Sequence, residues 1–266
     1  MKLKHAKLAW PLATVLANLM LAYVVYMLAR VLFLAENWQY YGDSLTWSHL
    51  GEMARGGLLF DTSAILYTNA LWVVMVLFPL HLKENDAYHK VCRWLFVVVN
   101  TLSLAVNMAD SVYFRYSARR TTTTVFQEFE NENNIGSILA TEALSHWYLF
   151  VVAALVGWLL WKAYLTPRLK SADSPWWATD LALLASLIAF TPFCVAGMRG
   201  GWTRDIRPIT ISNANNYCDR PIESALVLNT PFSLIRTIGK NVFSVPAYFS
   251  DSAEMERLYS PLHLPQ

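Results

Sequence analysis

Long apolar stretches alternate with short polar segments along the chain. A helix that crosses the hydrocarbon core of a bilayer needs about 20 mostly apolar residues. Five stretches meet this requirement: approximately residues 8–34, 62–82, 91–108, 147–165 and 176–195. Aromatic residues such as Trp147 and Tyr148 crowd their ends, and amphipathic rings favour the headgroup region of a membrane. The pattern therefore predicts an all-α polytopic membrane protein with five transmembrane helices.

Two segments outside these stretches also have a helical pattern. Residues 44–57 are too few and too polar to span a membrane, and they predict a helix that lies on its surface. Residues 221–240 form the second segment, with apolar residues roughly on one helical face: Ile222, Leu226, Leu234 and Ile238. This segment predicts an external juxtamembrane helix, which Pro231 should kink.

The distribution of Lys and Arg predicts the orientation of the spans, because basic residues are retained on the cytoplasmic side. The N-terminus and the loops after spans two and four carry nine of them: Lys2, Lys4, Lys7, Lys83, Lys90, Arg93, Lys162, Arg168 and Lys170. The loops on the other side carry only four: Arg55, Arg115, Arg119 and Arg120. We therefore expect a cytoplasmic N-terminus, a five-span domain over residues 1–197, and an external juxtamembrane linker over residues 198–266.

Composition supports a membrane location and argues against one class of partner. Hydrophobic residues make up 55% of the chain and charged residues only 15%, whereas soluble domains carry about 25% charged residues. The net charge of +2 is too small to indicate nucleic-acid binding. We expect membrane lipids as partners and no nucleic acid.

Polar side chains within the predicted spans are the first place to look for function. Arg30 lies near the outer end of span one, and we expect its long side chain to reach the headgroup region. The asparagines of the spans are expected to form hydrogen bonds between helices: Asn18, Asn69, Asn100 and Asn107.

Charged and aromatic residues near the predicted outer border form a candidate lipid-headgroup site. Guanidinium groups bind phosphate oxygens bidentately, which suits an anionic headgroup. The candidate contacts are Arg55, Asp61, Asp110, Tyr113, Arg115, Arg119, Arg120, Arg207 and Arg236. An ordinary charged loop explains the arginines after Asp110 equally well, because acidic residues follow them: Glu128, Glu130 and Glu132.

The sequence contains no recognisable catalytic centre. The six histidines show no metal-binding spacing, and there is no nucleophile elbow or glycine-rich phosphate loop. The four threonines at residues 121–124 could hold a nucleophile, but no neighbour would activate it, so a loop or helix cap is favoured. We expect no catalytic residue, no metal ligand and no cofactor in this chain.

Four short stretches occur in order along the chain. They are residues 57–67 (GLLFDTSAILY), 110–115 (DSVYFR), 199–209 (RGGWTRDIRPI) and 225–236 (ALVLNTPFSLIR). Together with five spans and an external tail, they resemble the N-terminal transmembrane region of the lipoteichoic acid synthase-like family. Its members are membrane-bound phosphotransferases and sulfatase-like proteins of the alkaline phosphatase superfamily.

The resemblance implies an external catalytic domain that would begin after residue 266. In the family, that domain holds a divalent metal ion and a threonine nucleophile, which takes a headgroup such as phosphoglycerol or phosphoethanolamine from a lipid. This chain would then be the anchor of that domain in a bacterial cytoplasmic membrane, and would guide the lipid headgroup. No residue of this chain inherits the nucleophile or metal-ligand roles.

The alternative is a self-sufficient, non-catalytic membrane protein, such as a lipid-binding or assembly subunit. A transporter is less favoured, because many transporters consist of two related halves. Here the predicted number of spans is odd, and no two halves of the sequence match.

Overall fold

The structure, a computed structural model, describes residues 10–42, 45–79, 85–130, 134–166, 176–202 and 207–240. Within these ranges the regular structure is entirely helical, which confirms the predicted all-α class. The α-helices are α1 (Trp10–Glu36), α2 (Trp38–Tyr41), α3 (Trp47–Thr68), α4 (Ala70–Leu77), α5 (Asp86–Ser117), α6 (Val125–Glu130), α7 (Ile135–Ser145), α8 (Trp147–Ala163), α9 (Trp176–Arg199), α10 (Ser224–Val227) and α11 (Thr230–Thr237). Two 3₁₀-helices cover Ile211–Tyr217 and Pro221–Glu223.

Three of these helices are long and apolar enough to cross a membrane: Pro11–Glu36 of α1, Asp86–Ser117 and Asp180–Arg199 of α9. Two further candidates are helix pairs that meet at a sharp bend. α3 and α4 meet at 60°, and Gly136–Ser145 of α7 meets α8 at 70°. The described part of the chain therefore holds three candidate spans, or five if each bent pair is one span.

The helix predicted to lie on the surface over residues 44–57 is wrong, because α3 runs without a break from Trp47 to Thr68. Thr46 caps its first turn by accepting a hydrogen bond from the backbone N–H of His49. Gly56 and Gly57 are buried against other elements. A Cβ atom at Gly56 would lie 2.5 Å from the Tyr217 ring. The two glycines therefore let α3 pack closely against its neighbours, although the segment is too polar for its sequence to predict burial.

Asn69 stands at the bend between α3 and α4, and it confirms the prediction of hydrogen bonds between helices. The side-chain amides of Asn69 and Asn100 of α5 bond reciprocally. The Asn100 Nδ2 atom lies 2.8 Å from the Asn69 Oδ1 atom, and the opposite pair is 3.3 Å apart. Both side chains are fully buried.

Contacts at the two ends of the bundle fix the directions of three helices. The Asn18 amide near the start of α1 bonds the backbone of Leu165, just after α8. At the other end, Glu36 of α1 accepts hydrogen bonds from Tyr148 of α8 and Arg115 of α5. α8 is therefore antiparallel to α1 and α5. We call the end that carries Glu36, Arg115 and Tyr148 the upper end.

The chain turns back onto the bundle after α9. Gly200 makes this turn with a positive φ of 84°, a conformation that glycine adopts without strain. The backbone N–H of Ile209 then donates to the Arg199 carbonyl, at 2.9 Å. Residues 207–240, which we call the return segment, then add buried side chains such as Ala214 and Phe232 to the same core as the long helices.

The single surface helix predicted over residues 221–240 is also wrong. The chain is interrupted at Leu228 and Asn229, between α10 and α11. Asn229 caps α11 by accepting a hydrogen bond from the Phe232 backbone N–H, at 2.9 Å. Pro231 stands in the first turn of α11, where its missing N–H is not needed, so it begins a helix instead of kinking one.

Candidate functional site

A buried ion pair joins α1 and α3 below the upper end. The Nη1 and Nη2 atoms of Arg30 lie 2.6 Å and 2.8 Å from the two carboxylate oxygens of Asp61. Arg30 is 8% exposed and Asp61 1% exposed. The expectation that Arg30 reaches the headgroup region is therefore wrong: an opposite charge on the next helix keeps it inside.

Arg30 also binds the backbone of the return segment. Its Nε atom donates to the carbonyl of Leu226 at 2.9 Å, and its Nη2 atom donates to that of Val227 at 3.2 Å. These carbonyls belong to the last turn of α10 and have no acceptor role within that helix. Asn229 adds a bond from its Nδ2 atom to Asp61, at 2.9 Å. The ion pair thus holds the break between α10 and α11.

A second buried ion pair stands at the end of α5. The Nη1 atom of Arg120 lies 2.9 Å from the Oδ2 atom of Asp110, and the Nε atom of Arg120 donates to the carbonyl of Ala225 at 2.6 Å. The guanidinium lies 3.7 Å from the centroid of the Phe33 ring. Burial lowers the pKa of Arg120, and the neighbouring Asp110 opposes that shift.

Both carboxylate oxygens of Asp110 accept hydrogen bonds from several donors. Its Oδ1 atom accepts from the backbone and hydroxyl of Thr121, and its Oδ2 atom accepts from the Thr230 hydroxyl, at 2.8 Å. Asn107, one turn earlier on α5, accepts the backbone N–H of Thr230 at 3.0 Å. Asn107 and Asp110 of α5 therefore bind the start of α11, and the two arginines bind the turn before it.

Together, two arginines from different elements satisfy three consecutive carbonyls of the return segment. Removing charged groups from water is costly unless each is paired and its remaining hydrogen-bonding atoms are satisfied. Both conditions hold here only while the return segment occupies this position. We call the set Arg30, Asp61, Asp110, Arg120 and the residues 225–230 that they bind the upper cluster.

Further hydrogen bonds stabilise the region around α11 beyond the upper cluster. The Nη2 atom of Arg236 donates to the carbonyl of Met198 on α9, at 2.9 Å, and Ser63 of α3 donates to the same carbonyl at 2.9 Å. Thr123 binds Thr237 through its backbone N–H and its hydroxyl. The threonines at 121 and 123 therefore act as loop contacts, as predicted for this run.

A polar group also fixes the first part of the return segment to α3. The carboxylate of Glu223 is almost fully buried and lies 2.9 Å from the His49 Nε2 atom and 2.9 Å from the Arg220 Nε atom. Burial alone would raise the pKa of Glu223. The hydrogen bonds from His49 and Arg220 outweigh it and lower the pKa to about 2.

The other candidate headgroup contacts do not lie together in one site. Arg115 binds Glu36 at 2.9 Å, and the Tyr113 ring packs edge-on against Phe129. The remaining arginines are exposed: Arg55, Arg119 and Arg207. Asp61 pairs with Arg30 inside the bundle. The acidic residues 128, 130 and 132 lie outside the described side chains, and lipid binding by this group stays a prediction.

Sequence reasoning did not assign a functional role to Arg30, Asn229 or Thr230 of the upper cluster, or to Asn107 beside it. Arg30 carried a usable signal, because an ionisable residue inside a span calls for a partner of opposite charge, and Asp61 immediately precedes the next predicted span. Asn229 and Thr230 carried only the weaker signal of a helix cap before Pro231. Asn107 was expected to bond between helices but not to hold the return segment.

Comparisons with known proteins do not identify a relative of this chain. No protein-family model matches the chain, and no curated protein or solved structure matches it. Among the residues that the structure describes, no three His, Cys, Asp or Glu side chains could hold a metal ion.

Gly57→Ala tests the close approach of Arg30 to α3. A Cβ atom there would lie 2.6 Å from the Arg30 Cζ atom, and overpacking of this kind costs about 1–3 kcal/mol. We expect a lower midpoint of thermal unfolding for the purified chain in detergent. Gly51→Ala is the matched control on the same helix, because a Cβ atom there meets nothing within 4 Å, and helix propensity favours Ala by up to about 1 kcal/mol. Equal effects of the two changes would contradict the packing described.

Glu223→Gln tests the polar contact between α3 and the return segment. Because the folded pKa of Glu223 is lowered to about 2, its charge stabilises the fold above the ordinary glutamate value of about 4.3. That stabilisation is lost as the pH falls through about 2. The wild type should therefore unfold at a higher temperature than Glu223→Gln at neutral pH, and the difference should shrink on acidification. A difference that stays constant from neutral to acid pH would refute this assignment.

Proposed function

We propose that this chain is the membrane anchor region of a lipoteichoic acid synthase-like phosphotransferase or sulfatase. One observation carries the proposal: three of the four stretches that resemble this family, far apart in sequence, meet in the upper cluster. Residues 57–67 supply Asp61, residues 110–115 supply Asp110, and residues 225–236 supply the carbonyls that the arginines bind. The described ends of 199–209 join through the bond between Arg199 and Ile209.

The proposed orientation places the upper end outside a bacterial cytoplasmic membrane. Supporting it, Arg93 and Lys162 belong to the opposite end, where the Arg93 guanidinium lies 4.1 Å from the centroid of the Trp161 ring. Basic residues are retained in the cytoplasm, so that end would face inward. The return segment then lies at the outer surface, with the upper cluster just beneath it.

In this role the upper cluster holds the return segment against the bundle. A flexible segment would leave residue 240 free to move, whereas a segment bound to α1, α3 and α5 fixes its position at the upper end. Tethering a catalytic domain to the surface that holds its lipid substrate raises the effective substrate concentration without any new contact. The exposed Arg55, Arg119 and Arg207 would meet anionic headgroups there.

The length of the native protein tests the proposal. An antibody against the return segment should detect, in membranes of the source cell, a product well above the 30.3 kDa of this chain, because an external catalytic domain would follow. Digestion of intact spheroplasts by an added protease should release that domain, since it is proposed to lie outside.

A native product of 30.3 kDa would contradict the anchor role. It would favour the self-sufficient alternative, a lipid-binding or assembly subunit. A longer product whose added part resists the external protease until the cells are lysed would contradict the proposed orientation.

A further inference from the structure

A cavity of about 690 Å³ lies beside the upper half of α5, where α7 bends into α8. Its volume falls within the range of about 300–1,000 Å³ typical of small-molecule sites. Small side chains from three helices leave the space open: Ala105, Ala109, Ala143 and Ala153. The α5 residues that line it run from Ala105 to Tyr116, a length of about 16 Å at 1.5 Å per residue.

A polar group stands where α5 and α7 meet at the cavity. There the Tyr116 hydroxyl donates to the Glu142 carboxylate at 2.7 Å, and the His146 Nδ1 atom lies 3.3 Å from the same carboxylate. Below this group the walls are apolar, with Met108, Val112 and Leu149 among the lining residues. A long apolar space that ends in one small polar group matches an amphiphile with a hydrocarbon chain.

The cavity is reached from the side of the bundle. Phe150 and Ile138 line it and are 64% and 48% exposed on the outer surface. With α5 and α8 in the membrane as proposed above, that surface faces lipid. A water-soluble ligand would have to cross the headgroup region to enter, whereas a lipid of the outer leaflet is already there.

We propose that this cavity binds one acyl chain of an outer-leaflet phospholipid whose headgroup carries hydrogen-bond donors. The chain lies along α5 between the alanines, and the headgroup donates to the Glu142 carboxylate at the polar end. An ammonium or a hydroxyl group meets this requirement, and a choline group does not. The inference rests on the proposed membrane embedding, but it does not require a catalytic domain.

Photolabelling of the full chain tests the site. The protein would be placed in phosphatidylcholine vesicles that contain a trace of phosphatidylethanolamine with a diazirine in its acyl chain, irradiated, and mapped by mass spectrometry. Label should appear on Met108, Val112 or Leu149, in addition to the lipid-facing Val151 and Leu155. Ala153→Phe should lower the cavity label about tenfold or more, since single methylenes in apolar pockets already change binding by about 10–200-fold.

Ala154→Phe is the matched control, because Ala154 is the next residue on α8, is exposed, and does not line the cavity. It should leave the cavity label unchanged. Equal loss in both variants, or cavity label that survives Ala153→Phe, would overturn the acyl-chain site. Label on Val151 and Leu155 alone would overturn it too while leaving the embedding intact, whereas no label on any of these residues would overturn the embedding itself.

Competition by unlabelled lipids tests the headgroup. Phosphatidylethanolamine should displace the cavity label more effectively than phosphatidylcholine, and Glu142→Gln should reduce that preference while the label itself persists. Phosphatidylglycerol that competes as well as phosphatidylethanolamine would identify hydroxyl donors as sufficient. Equal competition by phosphatidylcholine, or a preference unchanged in Glu142→Gln, would overturn the assignment of the headgroup to Glu142.

Discussion

A guanidinium group buried among helices needs both a counter-charge and an acceptor for each N–H that has left water. Arg30 and Arg120 meet this need in the same way, each with one aspartate and with backbone carbonyls of residues 225–227. Neither aspartate alone could satisfy a fork of five N–H donors. The backbone of the return segment therefore completes both sites, and the position of that segment follows from the arginines.

This constraint connects parts of the chain that lie far apart in sequence. α1 supplies Arg30, α3 supplies Asp61, and the loop after α5 supplies Arg120. The break between α10 and α11 is tolerated because side chains satisfy the carbonyls of residues 225–227 before it and the Thr230 N–H after it, as is required of non-helical backbone away from water. After α9, the last long helix, the return segment therefore packs back onto the upper end. An anchor that orients a following domain would need this property.

The sequence predicted the helical class and the apolar cores of the long helices, because hydrophobic stretches of span length are a strong local signal. It failed where a tertiary contact decides the outcome. The polarity of residues 44–57 suggested a surface helix, but Gly56 and Gly57 let α3 pack closely. Arg30 was assigned to the headgroup region because its counter-charge lies on another helix, and the sequence indicates only that some acidic partner is needed. Pro231 was expected to kink a helix because the break before it depends on Asn229, which binds Asp61 of α3. Asp110 and Arg120 were both expected beside a lipid headgroup, and the structure shows them paired with each other.

Amide hydrogen exchange over residues 225–237 of the full chain tests most directly whether the buried charges hold the return segment. The account predicts strong protection in the wild type, and faster exchange in these residues when Asp61→Asn removes the counter-charge of Arg30, while α8 is unaffected. Glu52→Gln, at an exposed position of the same helix, should leave the exchange rates of residues 225–237 unchanged. Rapid exchange of the segment in the wild type, or protection that is unchanged in Asp61→Asn, would contradict the account.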